Sequence, residues 1–438
     1  MAFTFKGGIH PFDGKSLSKD KPMEELFPQV EMVYPLSQHI GKPAIPVVKQ
    51  GDYVLAGQKI AEADGYMSVP IYASASGTIS KIEKRRVLTG DMVESIILDN
   101  DGIYSTAERM PVRSITEMRR GEVINIIKEA GIVGMGGAGF PTHVKLSPKD
   151  PEKIYYVIVN CAECEPYLTS DYRRMIEEPE KLVNGLKIML ALYDHAEGIL
   201  AVEDNKPDCI RKLRELTLDE PRITVKELKT KYPQGAERQL IYAATRRVIN
   251  SSMLPADAGC IVNNVDTVCS IYSAVIEGIP LYKRIITVTG DAVRFPKNYI
   301  VPCGMSYGAL LEEAGGLKEK AEKIVSGGPM MGFALFDLNV PTTKISSALL
   351  CLTRDEVARS KPTNCINCGR CVDVCPGRVM PSKLADFAEH GDMESFLKFN
   401  GLECCECGCC SYVCPAKRQL TQSIKSMRKI ALAQRKKG

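Results

Sequence analysis

Residues 134–145 read GMGGAGFPTHVK, and the fold turns on what stands either side of that run. Gly134, Gly136 and Gly139 match G-x-G-x-x-G, the phosphate-binding turn of dinucleotide folds. That turn needs a strand before it and a helix after it. Here the order is reversed. The preceding segment GEVINIIKEAGI (121–132) sets Val123, Ile124, Ile127 and Ala130 at helical spacing, and the strand-like IYYVIVN (154–160) follows the loop. The run is therefore not read as a Rossmann turn. What remains is backbone freedom. Gly134, Gly136, Gly137 and Gly139 fall within six residues and let the main chain approach a phosphate or a flat ring closely.

Outward from the loop, the strand ends in NCAECEPY (160–167). Glu163 and Glu165 sit at that strand end. Two carboxylates would repel a phosphate, so they are expected to face a sugar hydroxyl, an amide or a ring N–H. YPQGAERQ (232–239) and GCIVNNVDT (259–267) come next. Adjacent Asn263 and Asn264 offer amide donors and acceptors suited to the pyrimidine edge of a flavin; a plain turn accounts for the pair equally well.

The cysteines raise a second question. Ten of the 17 lie between 365 and 414. NCINCGRCVDVCP (364–376) places Cys365, Cys368, Cys371 and Cys375 as C-x2-C-x2-C-x3-C-P, the bacterial ferredoxin spacing. LECCECGCCSYVCP (402–415) holds six cysteines, and the same ruler fits Cys404, Cys407, Cys410 and Cys414 before Pro415. Cys405 and Cys409 are left over, as packed thiols or as groups that tune a potential. In two-cluster modules the fourth cysteine of each run ligates the other cube. The expected sets are Cys365, Cys368, Cys371 and Cys414 for one [4Fe–4S] cluster, and Cys404, Cys407, Cys410 and Cys375 for the second. Zinc sites show separated C-x2-C pairs instead.

Bulk composition excludes several classes. The 438 residues allow two to four domains, 45% hydrophobic and 25% charged. A net charge of +4 gives no reason to expect nucleic acid. No apolar run reaches the roughly 18–20 residues of a membrane span, and MAFTFKGGIHPFDGK lacks the apolar core of a secretory signal. A cytosolic chain so rich in cysteine points to metal, not disulfides. No Ser/His/Asp or Cys/His constellation is present, and the five histidines show no ligand spacing. No acid–base catalytic residue is expected.

In order, GMGGAGFPTHVK, NCAECEP, GAE and VNNVDT resemble the flavin- and NADH-binding 51-kDa-type subunit of respiratory complex I, over roughly residues 115–285. The resemblance implies an FMN and NAD(H) pocket. By motif position it assigns Gly134, Gly136, Gly137, Gly139, Phe140, Lys145, Asn160, Glu163, Glu165, Glu237, Asn263 and Asn264 to that pocket. Met135 stands where that family usually has Arg, Ala162 where it has Asp, and Cys164 where it has Gly or Ser. The opening FKGGIHPFDGK and the doubled cysteine motif extend the likeness to the RnfC family of the Rnf complex, an ion-translocating ferredoxin:NAD+ oxidoreductase, over essentially the whole chain.

That resemblance implies a multidomain α/β and α+β architecture. An N-terminal barrel-sandwich hybrid is expected at 1–110, a complex I 51-kDa-like flavin/NADH domain at 111–283, and a β-grasp (soluble-ligand-binding) domain at 284–352. An α-helical two-cluster ferredoxin module with a basic tail is expected at 353–438. The hairpin tip GYMSVP (65–70) lacks the lysine of carrier domains, so it is expected to be structural or a docking surface. SGGPMMG (326–332) reads as a packing turn, with a place near the flavin or the ferredoxin module as the alternative. In the tail, Leu420, Ile424, Met427 and Ala431 form one apolar stripe, expected to pack on its own domain, with contact to acidic lipid headgroups or a membrane partner as the alternative.

The implied function is electron transfer between NAD(H) and ferredoxin-linked partners through FMN and two [4Fe–4S] clusters. The chain is then a peripheral component on the cytoplasmic face of a membrane-embedded complex that couples redox chemistry to Na+ or H+ transport. The alternatives are a microcompartment cobalamin reductase and a non-catalytic electron-wire subunit.

Overall fold

Tyr156–Cys161 is buried on both faces along most of its length, as a strand inside a parallel sheet must be. It is one of four parallel strands, ordered Ile223–Leu228, Glu197–Glu203, Tyr156–Cys161, Cys260–Asn264. The chain runs outward from Tyr156–Cys161 through the next two strands, then crosses back to place Cys260–Asn264 on the other side. That reversal creates a switch point at the carboxyl ends of Tyr156–Cys161 and Cys260–Asn264, where open α/β sheets bind ligands. The computed structural model describes residues 2–114 and 117–435.

Helices Arg120–Glu129, Pro179–Leu190, Pro207–Leu216 and Val265–Ile276 cover one face, sharing a core with Val157, Val159, Leu200 and Val202. Glu237–Thr245 covers the other face, over Ile158, Ile199 and Ala201. Local signals explain where helices start. Proline opens Pro179–Leu190 and Pro207–Leu216, and the Asn264 side chain caps Val265–Ile276 by accepting from the Asp266 N–H. Helix Arg120–Glu129 precedes the glycine loop and strand Tyr156–Cys161 follows it, the order expected from the apolar spacing.

A six-stranded mixed sheet, with Lys283–Thr289 and Ala348–Leu352 central, is covered by helix Tyr307–Glu313, capped by Ser306. The barrel-sandwich part pairs Glu31–Pro35, Met92–Asn100, Gly77–Arg86 and Tyr53–Val54 in one sheet. Its second sheet is Ile45–Pro46, Lys59–Glu62 and Ile71–Tyr72. The two parts share one core: Ile60, Ile79, Ile96 and Leu98 pack with Ile286, Val301 and Leu310. Residues up to Glu25 leave the barrel. Phe3 bridges Leu228, Ile9 bridges Tyr232, and Glu24–Glu25 adds an edge strand to the six-stranded sheet.

The cysteine-rich part repeats its backbone. Asn367 and Glu406 have φ of 54° and 58°, Gly369 and Gly408 have 78° and 81°, and Arg378 and Lys417 both have 54°. In each copy an N–H donates to a cysteine sulfur: Asn367 N to Cys365 Sγ, and Glu406 N to Cys404 Sγ, both at 3.4 Å. Helices Pro381–Glu389, Met393–Lys398 and Leu420–Arg435 pack around these turns. Leu420, Ile424, Met427 and Ala431 are buried, so the terminal helix packs on its own module. Lys436 and Lys437 of the basic tail lie outside the described residues.

Gly185 tests the close approach of two helices. In an exposed helix interior, Gly to Ala adds about 1 kcal/mol of stability. Here a Cβ would meet Val268 O at 2.3 Å. Gly185→Ala is expected to destabilise the chain by about 1–3 kcal/mol in chemical denaturation, reversing the usual sign.

Candidate functional site

The glycine loop lies at the switch point. Gly136 has φ 76°, and a Cβ there would sit 3.1 Å from the Asn264 amide nitrogen. A Cβ on Gly139 would fall 2.7 Å from Ile345 and 3.2 Å from His39 Cα. Gly134 N donates to Phe140 O, closing the loop, and Met135 N donates to Thr267 Oγ1, tying it to helix Val265–Ile276. Gly136, Gly137 and Ala138 remain exposed at its tip. The barrel holds the loop from outside: Ile40 N donates to Gly139 O, and the hairpin tip sets Tyr66 edge-on against His143.

The remaining candidates are arranged around this loop. Lys145 Nζ donates to Val262 O at 2.9 Å; burial lowers its pKa, with the Glu237 carboxylate near enough to oppose that shift. Asn160 and Asn264 face each other in register at adjacent strand ends. Asn160 Nδ2 donates to Gly235 O, and Asn264 Nδ2 to Asp171 Oδ2. The two adjacent asparagines do not work as a pair. Asn263 turns to Met189 Sδ in the helical core and leaves its Oδ1 without a protein partner. Met135 is buried as well, and the Arg284 guanidinium from the six-stranded sheet reaches its sulfur and Asp266.

The two glutamates differ. Glu163, at φ 48°, accepts from the Asp171 and Tyr172 N–H groups at the start of helix Ser170–Glu177, so both its oxygens have protein partners. Burial raises its pKa, and Lys15, 3.9 Å away, opposes the rise. Glu165 accepts from Met330 N with Oε2, while its buried Oε1 has no partner. Burial pushes the Glu165 carboxyl up to about 7. A loop kept close by Gly136 and Gly139 at the switch point, with an orphaned oxygen on Glu165 in the same domain, fits a flat polar ligand such as FMN.

The cysteine sets also differ. A small cavity is lined by Cys375, Cys404, Cys407 and Cys410 together, with Cys405 and Cys409 at its wall. These four residues are the second expected ligand set, including the crossover of Cys375. Burial pushes Cys404 up to about 12 and Cys410 to about 11, so both are thiols until a metal binds. Of the other set, Cys365 and Cys368 are exposed, while Cys371 and Cys414 are half-buried against the same core. Among the described residues no three His, Cys, Asp or Glu side chains are set out as a ready metal site. Four thiols around one cavity nevertheless fit a four-thiolate cluster.

Residues 127–273 match the Nuo51 FMN-binding domain, residues 3–103 the RnfC barrel sandwich hybrid domain, and residues 285–334 the SLBB domain. The C subunit of the Na(+)-translocating ferredoxin:NAD(+) oxidoreductase complex of Acetobacterium woodii is 42% identical over 436 residues, covering 99% of this chain and 98% of that protein. The chain belongs to the RnfC family. Another relative, the C subunit of the proton-translocating ferredoxin:NAD(+) oxidoreductase complex of Clostridium ljungdahlii, is 43% identical over 431 residues, 98% of this chain and 94% of that one. The fold alone is shared with an NAD+-reducing [NiFe]-hydrogenase in its air-oxidized state, at a TM-score of 0.52 and 18% identity, covering 73% and 68% of the two chains. The FMN-binding match in this RnfC-family chain spans every residue around the crevice from Gly134 to Asn264.

Several site residues carry no local signal in the sequence. Lys15 lies far up the chain in FDGK, yet its Nζ donates to the carbonyls of Glu163, Glu165 and Leu168. Asp171 joins Glu163 to Asn264. Tyr232 and Met330 connect the flavin domain to the cysteines. YPQG and SGGPMMG are visible as turns, but their partners are remote in sequence.

Two variants test the buried charges. Below about pH 4.5 Glu165 is protonated whether folded or not; between that and its raised value of about 7 the folded chain holds the extra proton, so stability falls as pH rises. Glu165→Gln is expected to remove that fall, worth up to about 3 kcal/mol, in denaturation of the cofactor-free chain at pH 5 against pH 8. Lys15→Met strips three carbonyls and the Glu163 carboxylate of their donor. The expected cost is about 3–5 kcal/mol in the same measurement.

Proposed function

We propose that this chain is the NAD(H)-reacting component of a membrane-bound ferredoxin:NAD+ oxidoreductase complex. It passes electrons between NAD(H) and ferredoxin-linked partners through FMN and two [4Fe–4S] clusters, and the whole complex couples the transfer to Na+ or H+ transport. The observation that carries the reading is that one chain packs an FMN-binding domain directly onto the doubled cysteine module: Tyr232 Oη donates to Cys407 O at 2.7 Å. The names of the relatives from A. woodii and C. ljungdahlii support the pairing of ferredoxin with NAD+ and the two candidate coupling ions.

When bound, FMN supplies the conversion between hydride transfer and one-electron transfer that the clusters require. The chain's own residues position and shield. The glycine loop admits the cofactor's phosphate and ring, with Phe140 and Lys145 beside it, while Asn160, Glu165 and Glu237 border the crevice. Glu163 and Asn264 act at one remove, through Asp171 and Gly136. Cys365, Cys368, Cys371 and Cys414 hold one cluster, and Cys375, Cys404, Cys407 and Cys410 the other. No helix of the described residues is long and apolar enough to cross a membrane. Attachment at the cytoplasmic face therefore runs through partner proteins of the complex. The proposed domain limits are 1–110, 111–283, 284–352 and 353–438, with the arm up to Glu25 reaching out of the first domain to the flavin sheet and the six-stranded sheet. A cobalamin reductase is disfavoured because its barrel-sandwich segment is expected after the flavin domain; here it comes first.

Anaerobic NADH titration of the reconstituted chain tests the reading. Flavin bleaching accompanied by reduced-cluster signals in low-temperature EPR is the expected result. Clusters that dithionite reduces and NADH does not, in a chain that binds no flavin, would leave only an electron-wire subunit.

A further inference from the structure

The hairpin tip of the barrel is driven into the base of the glycine loop. Ser68 and Val69 are fully buried there, and Val69 belongs to the apolar core of the flavin domain, with Val133 and Met135. Both ends of the loop are gripped from outside that domain. On the entering side Tyr72 Oη donates to Glu129 O, and Lys59 Nζ meets the Glu129 carboxylate at 2.7 Å. Lys344 Nζ donates to Gly131 O, also at 2.7 Å. On the leaving side Ile40 N donates to Gly139 O, and His143 Nε2 donates to Tyr66 O. Between the two grips, Gly136, Gly137 and Ala138 stay exposed.

Lys344 is the centre of this arrangement. It stands just ahead of strand Ala348–Leu352 in the six-stranded sheet. Its Nζ also donates to Pro70 O at the hairpin tip, at 2.6 Å, and its N–H donates to Gln38 Oε1. One residue thus ties three parts of the chain together. It is 1% exposed, and among the described residues no carboxylate pairs with it. Burying an amine with two carbonyls as its partners costs stability that an apolar side chain would not, so such a residue is explained by the geometry it fixes. The fit leaves no slack. A Cβ on Gly131 would meet Lys344 Nζ at 2.4 Å and Pro70 O at 2.6 Å, and one on Gly139 would meet Ile345 Cγ2 at 2.7 Å.

We infer that the barrel tip and Lys344 form a clamp that presets the glycine loop for its cofactor. Lys344 is a positioning residue, acting through Gly131 and Pro70. This rests on the FMN reading proposed above and deepens it. A segment so rich in glycine loses more conformational freedom on ordering than any other, and a free loop would lose it at the moment of binding. A loop held at both ends has lost most of it already, which strengthens binding without any new contact to the ligand. Thermodynamic linkage makes the coupling reciprocal: a clamp that strengthens FMN binding is itself stiffened when FMN binds.

The test titrates FMN into the full, flavin-stripped chain and follows quenching of the flavin fluorescence. Lys344→Met is expected to weaken FMN binding by about tenfold or more, and Tyr72→Phe, which removes one hydroxyl, by about threefold. Ile79→Val thins the barrel core without touching the clamp. It is expected to bind FMN within about twofold of the unmodified chain, which separates positioning from loss of barrel stability. Unchanged FMN affinity in Lys344→Met overturns the clamp, and so does a loss in Ile79→Val as large as in Lys344→Met. Should Lys344→Met not fold, hydrogen exchange of the unmodified chain decides. FMN is expected to slow exchange about threefold or more across residues 38–41 and 66–72, and to leave the far hairpin turn at 83–94 unchanged. Exchange at 38–41 and 66–72 that FMN does not alter overturns the clamp alone. An unmodified chain that takes up no FMN overturns the function proposed above, and the clamp falls with it.

Discussion

Lys15 is the contact on which much of this molecule depends. A single ammonium donates to three carbonyls of one bend, those of Glu163, Glu165 and Leu168. The bend needs holding, because Glu163 and Tyr167 both have positive φ without being glycine. Burial lowers the Lys15 pKa, so the ammonium is kept only because carbonyl dipoles and the Glu163 carboxylate surround it. Seating Lys15 also sets the course of the arm ahead of it, which runs past Tyr232 and under Val374.

From that bend the polar network extends both ways. Glu163 caps the start of helix Ser170–Glu177, and the Asp171 it meets there accepts from Asn264, which lies against Gly136 of the glycine loop. Glu165 holds Met330, and Met330 touches the second cysteine turn at Gly408. The crevice and the cysteine module are thus braced by one strained segment six residues long. A buried polar network of this kind specifies geometry more than it adds net stability.

The absence of Arg from the glycine loop has a structural counterpart. Met135 is buried, and the guanidinium that reaches it, Arg284, comes from the six-stranded sheet. Arg284 binds Asp266, two residues past the Asn264 cap, so positive charge near the loop is supplied from another part of the chain. The barrel likewise takes part in the site by packing on Gly139, a contact that the lack of a carrier lysine at its tip left open.

What the sequence determined by itself is whatever local spacing can encode. The helical spacing of Val123, Ile124, Ile127 and Ala130, with a strand after the loop, ruled out a Rossmann turn. Apolar residues at 420, 424, 427 and 431 placed the last helix on its own module. The three-, three- and four-residue steps between cysteines marked two matching turns, because those steps are dictated by the backbone within a few residues. Tertiary structure decided everything that pairs remote residues. It separated Asn263 from Asn264, occupied Glu163 with a helix end, and left Glu165 with an open oxygen. It also brought Cys375 beside Cys404, Cys407 and Cys410 while leaving Cys365 and Cys368 in water. Side chains hundreds of positions apart meet only when whole layers pack, and burial, not spacing, then determines which of two matching motifs is enclosed.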